Sequence, residues 1–251
     1  MENHEYDQVI GSNQAPFINQ LARQYVSLQQ HFGVRHPSLP NYLALTGGDT
    51  FGITNDCTAC HVNATNLVDQ LEQANVSWKA YMEGLPSVGF TGDGNCSGSG
   101  CYKKKHDPFV YYDDVVGTPE RLQHIVPATQ LSADLTNNSL PQFSWLTPDM
   151  CHDTHDCTVG VGDAYLAQIV PRILPDLGPN GILIVTYDEG DTGVHGGGRI
   201  PTVIAGPGAN NGMTIDVQSN HYSTLRLIED IYGLGYLRNA AGANSISGAL
   251  K

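Results

Sequence analysis

Apolar positions recur along the chain with the two spacings that distinguish helices from strands. Apolar residues three or four positions apart predict four helices, over residues 16–30, 65–74, 163–174 and 221–232. Continuous or alternating apolar runs predict four strands, over residues 76–82, 143–147, 181–187 and 200–205. The third helix contains Pro171, which we expect to strain or kink it.

Helix and strand patterns alternate through most of the length. This order predicts an α/β fold with a mostly parallel central sheet and helices on both faces. The length of 251 residues suits a single domain over residues 1–251. Residues 84–110, rich in Gly, Ser, Lys and Cys, are predicted to form an excursion loop. Because ligands of such sheets bind beyond the carboxyl ends of strands, the residues after each strand are the first candidates for chemistry.

Two of these strand exits carry dense sets of polar side chains. Asp188 and Glu189 follow the strand over 181–187, where two carboxylates can share one hard cation; a solvated turn is the alternative. The segment after the strand over 143–147 has three aspartates and two histidines within eight residues, namely Asp149, His152, Asp153, His155 and Asp156. That density favours a functional site over a polar surface loop, but spacing does not show which members point inward.

The charge balance excludes some partners. Asp and Glu outnumber Lys and Arg by 25 to 12, which gives a formal net charge of -13. The chain therefore lacks the basic surface that nucleic acids require, and an anionic membrane would repel it. No apolar stretch is long enough for a transmembrane anchor. The protein could still bind an anionic substrate through a local binding site, such as a metal ion or a helix N-terminus.

The six cysteines fall into three close pairs. The pairs are Cys57 and Cys60, Cys96 and Cys101, and Cys151 and Cys157. An even count at short spacing favours three local disulfides and an exported protein. Cys57, Cys60 and His61 also match the attachment motif of a c-type haem, and two cysteine pairs could form a structural zinc site.

Residues 1–5 lack a signal-peptide pattern, so we expect a mature chain or a start that lies upstream.

Ser38 is a candidate nucleophile because Pro37 and Pro40 fix the backbone on both sides of it. A serine hydroxyl becomes nucleophilic through a base or a metal ion. A proline-rich turn is the alternative and, on this segment alone, the simpler interpretation. Three histidines stand far from any other histidine in the chain, namely His106, His195 and His221. Such single histidines are more often structural than catalytic.

Taken in order, these segments resemble the phosphoesterase family that joins bacterial acid phosphatases with phospholipases C in the alkaline phosphatase superfamily. The matching segments are residues 2–4, 36–47, 81–86, 105–112, 147–156, 187–190 and 221–234. The resemblance implies an alkaline phosphatase-like fold and a metal-dependent phosphomonoesterase that uses a divalent ion. The short chain with paired cysteines is similar to secreted acid phosphatases, including those assigned to phosphoinositide dephosphorylation.

The resemblance also implies roles for individual residues. The implied metal ligands are Glu2, Asn3, Asp188 and Glu189. Ser38 would form a phosphoseryl intermediate, and Asn41 would donate a hydrogen bond to a phosphate oxygen. Residues implied to hold the phosphate, a second metal ion or the leaving-group proton are His106, Asp153, His155 and His221, with Asp149 and Asp156 beside them.

One departure from the family pattern concerns the first residues. In the family the Glu-Asn pair ends an apolar strand, and no such strand precedes Glu2 here. We therefore expect a gap in the sheet and fraying of two metal ligands.

The alternative functions are a phospholipase C-type phosphodiesterase, a metal-free serine hydrolase, a haem-binding electron carrier and an inactive truncated relative. A serine hydrolase is disfavoured because the chain has no Gly-x-Ser-x-Gly motif.

Overall fold

The computed structural model describes all residues, Met1–Lys251. The strands are β1 (Val26–Leu28), β2 (His31–Phe32), β3 (Trp78–Met82), β4 (Ile125–Pro127), β5 (Phe143–Thr147), β6 (Leu183–Thr186), β7 (Thr202–Ala205), β8 (Thr214–Ile215) and β9 (Ser219–Asn220). The α-helices are α1 (Tyr6–Val9), α2 (Pro16–Gln24), α3 (Ser38–Gly47), α4 (Leu67–Gln73), α5 (Asp113–Val116), α6 (Pro119–Leu122), α7 (Thr129–Thr136), α8 (Val159–Ile173) and α9 (His221–Tyr232). None of the helices has the length and apolarity that crossing a bilayer requires.

The strands form three sheets whose pairings are mostly parallel. One sheet has the order β6-β7-β1-β8, a second the order β4-β3-β5, and β2 pairs with β9. Strand β7 is the exception, since it runs antiparallel to both β6 and β1. Residues 187–201 return the chain from β6 to β7 without a helical crossover, which gives antiparallel neighbours. The predicted α/β class with mostly parallel strands is confirmed.

Both faces of the four-stranded sheet are covered. On one face, Val185 and Val203 pack in a cluster with residues of α2 and α8, including Leu21 and Leu166. On the other face, β1, β7 and α9 share a second cluster with residues from the C-terminal segment. This arrangement follows from strand geometry, because successive side chains of β6 and β7 point to opposite faces.

Two differences from the sequence prediction concern the first 47 residues. The helix predicted over 16–30 ends at Gln24, and Val26 to Leu28 form β1 instead. The apolar residues of β1 happen to continue the helical spacing, but in the strand Val26 and Leu28 lie on one buried face. The proline-rich segment, for which a turn is the simpler interpretation of the sequence, begins helix α3 instead. Pro40 is tolerated there because the first-turn amides of a helix have no partner within the helix.

An apolar groove of about 450 Å³ lies between β5 and β6. Each of these strands is paired on one side only, β5 with β3 and β6 with β7. Leu166 and Val170 of α8 and Ile228 of α9 line the groove, and Met1 stands at its end. The amino group of Met1 donates to the carbonyl oxygen of Thr186 at 3.1 Å. The gap expected in the sheet is thus present as this groove.

Extending the chain ahead of Met1 with about five alternating Val and Thr residues, a typical strand length, is expected to stabilise the protein. Met1 pairs with β6 in the parallel pattern, since it donates to Thr186 and accepts from the amide of Asp188 at 3.0 Å. The added residues would continue this ladder and bury apolar surface. We expect calorimetry to show a Tm increase of about 5 °C or more. An alternating Asp-Gly extension is the control, and equal Tm values for the two extensions would contradict the expectation.

A buried carboxyl in α9 predicts a pH-dependent stability. Glu229 accepts the Leu237 amide at 2.7 Å, and burial raises its pKa to about 7. Between pH 4.5 and 7 the native state therefore binds more protons than the unfolded state, so stability falls as the pH rises through that window. Glu229→Gln should raise Tm by about 2–4 °C at pH 8 and little at pH 5. Exposed Glu120→Gln is the control, and a pH-independent effect would contradict this reasoning.

Candidate active site

Ser38 is the first residue of α3, and its side chain is almost fully buried, with 1% of its surface exposed. Its hydroxyl donates a hydrogen bond to Oε2 of Glu2 at 3.1 Å. The amino end of a helix favours negative charge, so this position suits an oxygen that must become anionic. The serine predicted as nucleophile is therefore held at a helix N-terminus beside a carboxylate.

Glu2 is fully buried and is fixed by its backbone on both sides. Its amide donates to the carbonyl of Asp153 at 2.7 Å, and its carbonyl accepts from the hydroxyl of Thr154 at 2.9 Å. The next residue, Asn3, has a left-handed backbone with φ of 54°, and its amide donates to the carboxylate of Asp188 at 3.2 Å. Residues 2 and 3 are thus anchored between the two strand exits rather than extending freely into solvent.

His106 forms a buried ion-pair row with two carboxylates. Its Nε2 lies 3.2 Å from Oε2 of Glu2, and its Nδ1 lies 3.3 Å from Oδ2 of Asp153. Burial lowers the pKa of His106, but the two carboxylates outweigh burial and raise the pKa to about 9. Burial raises the pKa of Glu2, whereas His106 and Lys105 hold it well below its ordinary value. Ligand atoms of these three residues, Glu2, His106 and Asp153, lie within 4.8 Å of one another and could hold a metal ion.

The two carboxylates after β6 have different surroundings. Burial and the nearby carboxylate of Glu2 raise the pKa of Asp188 well above its ordinary value, and its Oδ2 is buried without a hydrogen-bond partner. Glu189 is paired with Nδ1 of His36 at 2.8 Å. Burial raises the pKa of Glu189 to about 7, although His36 opposes the shift. Asp188 is thus free to accept a cation, whereas Glu189 already shares one oxygen with an imidazole.

Only some of the polar residues in the segment after β5 face the candidate site. Asp153 faces Glu2 and His106, and its Oδ1 accepts the amide of His155 at 2.8 Å. Asp149 instead turns away and accepts backbone amides of the segment itself, including that of Cys151 at 3.0 Å. Asp156 lies beside the ring of His155, with Oδ1 2.8 Å from Nδ1. The segment therefore supplies Asp153 to the centre and His155 to its edge.

His221 is the first residue of α9 and lies next to the backbone of Asp188. Its Nε2 contacts the carbonyl oxygen of Asp188, and its Nδ1 is buried without a partner. Burial lowers the pKa of His221 to about 4, so the ring is neutral. His195 lies away from these residues, packed edge-on against Phe32.

The three predicted disulfides are present, joining Cys57 to Cys60, Cys96 to Cys101, and Cys151 to Cys157. No cysteine remains free. Because Cys57 and Cys60 are bonded to each other, their sulfurs are not available for haem attachment or a zinc site. The bridge between Cys151 and Cys157 closes the loop that presents Asp153 and His155.

This geometry can be compared with known proteins. The model of the phosphoesterase family matches residues 1–235. The chain belongs to the phosphoesterase family. The phosphoesterase is 36% identical over 254 residues to a phosphatidylinositol-3-phosphatase of Mycobacterium tuberculosis, an alignment that covers 98% of this chain and 80% of that protein. It is 34% identical over 255 residues to an acid phosphatase of Aspergillus fumigatus, covering 97% of this chain and 56% of that protein.

The phosphoesterase also resembles solved structures of the alkaline phosphatase superfamily. A superfamily member from Vibrio parahaemolyticus superimposes with a TM-score of 0.63 at 14% identity, covering 96% of this chain and 68% of that one. At this identity the similarity concerns the fold alone. The expected alkaline phosphatase-like fold is confirmed. The phosphoesterase spans little more than half the length of the fungal relative, as the coverage above shows.

Sequence reasoning did not assign three residues that the structure places at the site. Tyr42 contacts Glu2 through its hydroxyl and stacks on His106 with ring centroids 5.4 Å apart. His36 pairs with Glu189, and Lys105 contacts the ring of His155 at 3.2 Å. All three lie within segments that resemble the family, and this resemblance is the feature of the sequence that could have identified them.

Asn41, which the resemblance implies donates to a phosphate oxygen, uses its side chain to bind the loop that precedes Ser38. Its Oδ1 accepts the amides of Val34 and Arg35 at 2.8 and 3.2 Å, and its Nδ2 donates to the Arg35 carbonyl at 2.6 Å. The same Nδ2 lies 3.4 Å from Oε2 of Glu189. The side chain thus holds the loop that precedes Ser38.

Asn41→Ala is expected to lower the free energy of unfolding by about 2 kcal/mol, because it leaves two backbone amides without an acceptor. Urea denaturation of the phosphoesterase tests this, with exposed Asn13→Ala as the matched control. Unchanged stability together with weaker binding of inorganic phosphate would instead assign Asn41 to direct phosphate contact.

Proposed function

We propose that this phosphoesterase is a metal-dependent phosphomonoesterase in which Ser38 is the nucleophile. The observation that carries the proposal is the buried Ser38 hydroxyl at the N-terminus of α3, hydrogen-bonded to Glu2. Around it converge the carboxylates that follow β5 and β6. The proposed catalytic unit is one domain comprising residues 1–251.

The residues beside Ser38 fit a divalent cation. The side-chain oxygens Oδ1 of Asn3 and Oδ2 of Asp188 are buried without any hydrogen-bond partner. Unpaired buried oxygens are costly, and hard cations such as Mg²⁺, Ca²⁺ or Mn²⁺ bind such oxygens. The proposed ligands are Glu2, Asn3, Asp188 and Glu189. A bound divalent ion would stabilise negative charge on the nucleophile and on the phosphoryl oxygens.

The proposed first step is an in-line attack by Oγ of Ser38 on phosphorus. The Oγ–P bond forms while the bond from phosphorus to the ester oxygen breaks, and the serine proton leaves along its hydrogen bond toward Glu2. The product is a phosphoseryl residue and a free alcohol. Water then attacks the same phosphorus, and the Oγ–P bond breaks. Glu2 returns its proton to Oγ of Ser38, the water gives one proton to the group that protonated the alcohol, and inorganic phosphate is released.

The leaving alcohol oxygen needs a proton in the first step. The proposed donor is His106, because Nε2 of the other imidazole near Asp153, that of His155, faces the ammonium group of Lys105 at 3.2 Å. With a pKa of about 9, His106 carries a proton at neutral pH. Its position between two carboxylates orients that proton, as general acid catalysis requires.

The proposed substrate is a phosphate monoester, either a small molecule or a phospholipid headgroup. The relatives named above, a phosphatidylinositol-3-phosphatase and an acid phosphatase, support a monoester. Three disulfides support a location outside the cytoplasm, where such bonds persist.

The test is hydrolysis of p-nitrophenyl phosphate and of bis-p-nitrophenyl phosphate across pH, before and after chelation and metal replacement. We expect monoester cleavage that is lost on chelation and restored by a divalent ion. Faster cleavage of the diester would favour a phospholipase C-type activity, and chelator-resistant activity would contradict metal dependence.

A further inference from the structure

Lys105 is the one lysine or arginine whose side chain hydrogen-bonds to a residue of the candidate site. Its Nζ lies 3.2 Å from Nε2 of His155 and 3.2 Å from Oδ2 of Asp56. The remaining basic side chains have other partners or none: Arg238, for example, donates to backbone carbonyls, and Arg121 binds carboxylates remote from the site. The site gathers carboxylates, so a phosphate group bound there requires cationic donors.

The contacts of Lys105 leave it one donor for a ligand. An ammonium group has three N–H donors, and Asp56 and His155 engage two of them. The ring of His155 can accept from Lys105 because its other nitrogen lies 2.8 Å from the carboxylate of Asp156, which favours the proton on Nδ1. Both partners therefore orient Lys105 without using its third donor.

Asp56 connects this ammonium group to the nucleophile. While its Oδ2 accepts from Lys105, its Oδ1 accepts the amide of Leu39 at 3.0 Å, the residue directly after Ser38. One carboxylate thus fixes both the start of α3 and the position of Nζ. The Lys105 side chain is 17% exposed, which leaves it accessible to a ligand.

We propose that Lys105 binds a non-bridging oxygen of the phosphoryl group that Ser38 attacks, and that Asp56 is its positioning residue. This inference rests on the proposed function. A phosphate dianion adds negative charge to a site that already contains several carboxylates. A fixed ammonium group would offset part of this charge, so that the metal ion need not offset all of it. Neither residue contributes through proton transfer.

The test measures affinity for inorganic phosphate by calorimetry, in metal-loaded protein that carries Ser38→Ala so that no phosphoseryl residue forms. We expect Lys105→Met to weaken phosphate binding about 10-fold or more. Lys104→Met is the matched control, because its Nζ donates to the carbonyl of Thr58 and lies 4.9 Å from the ring of Tyr111. Lys105→Arg should recover part of the affinity.

Asp56→Asn supplies a second variant that keeps an acceptor for the Leu39 amide but releases Lys105. We expect a smaller loss of phosphate affinity, with unchanged affinity for the divalent ion. Equal phosphate affinity in the Lys105→Met and Lys104→Met proteins would overturn the inference, as would a parallel loss of metal affinity in Lys105→Met. Hydrolysis of p-nitrophenyl phosphate by the unsubstituted protein tests the proposed function separately.

Discussion

Ser38→Ala is expected to reduce the turnover of p-nitrophenyl phosphate by about 10³-fold or more, since it removes the atom that we propose forms the bond to phosphorus. The hydroxyl contributes a single hydrogen bond, to Glu2, so the fold should tolerate its loss. Steady-state kinetics with metal-loaded protein measure the effect.

The matched control is Ser27→Ala, a substitution of a buried serine in β1. It should leave turnover unchanged. If Ser38→Ala retained activity within about tenfold of the parent, a serine nucleophile would be excluded and a metal-activated water would become the preferred nucleophile.

Glu2→Gln is expected to weaken divalent metal binding by about 100-fold or more and to reduce turnover with it. The substitution keeps the size of the side chain but removes the negative charge that lies beside both Ser38 and His106. In the metal-free protein the pKa of His106 should also fall below about 9, because Glu2 is the main group that raises it. Calorimetry measures metal affinity, and NMR titration follows the imidazole.

Exposed Glu120→Gln is the control for both measurements. Unchanged metal affinity in Glu2→Gln would show that Glu2 is not a ligand. An unchanged His106 titration would contradict the ion pair between the two residues.

The long elements were predictable because their apolar patterns are uninterrupted. The predicted bounds of β5 and α9 are those observed. Helix α9 also has a capping residue, Asn220, whose side chain accepts the amide of Tyr222. Helix α3 could not be found in this way, since all ten of its residues are buried and no polar face gives it a helical period.

The expectation that ligands bind beyond the carboxyl ends of strands selected residues that lie close together in the structure. It selected Asp188 and the segment containing Asp153, which the structure brings together around Glu2. It could not separate Asp149 from Asp153, because backbone hydrogen bonds within the segment decide which carboxylate turns inward. Lys105 lies in a segment that resembles the family, but its contacts with Asp56 and His155 reach across the fold and could not be predicted from its neighbours in the chain.

We propose that Ser38 carries the phosphoryl group during turnover. Mass spectrometry of peptides from protein quenched in acid during hydrolysis of p-nitrophenyl phosphate tests this directly. We expect one phosphoryl group on the peptide that contains Ser38, and none in protein carrying Ser38→Ala. Full turnover with no phosphoryl group on Ser38, or with the group on another residue, would contradict it.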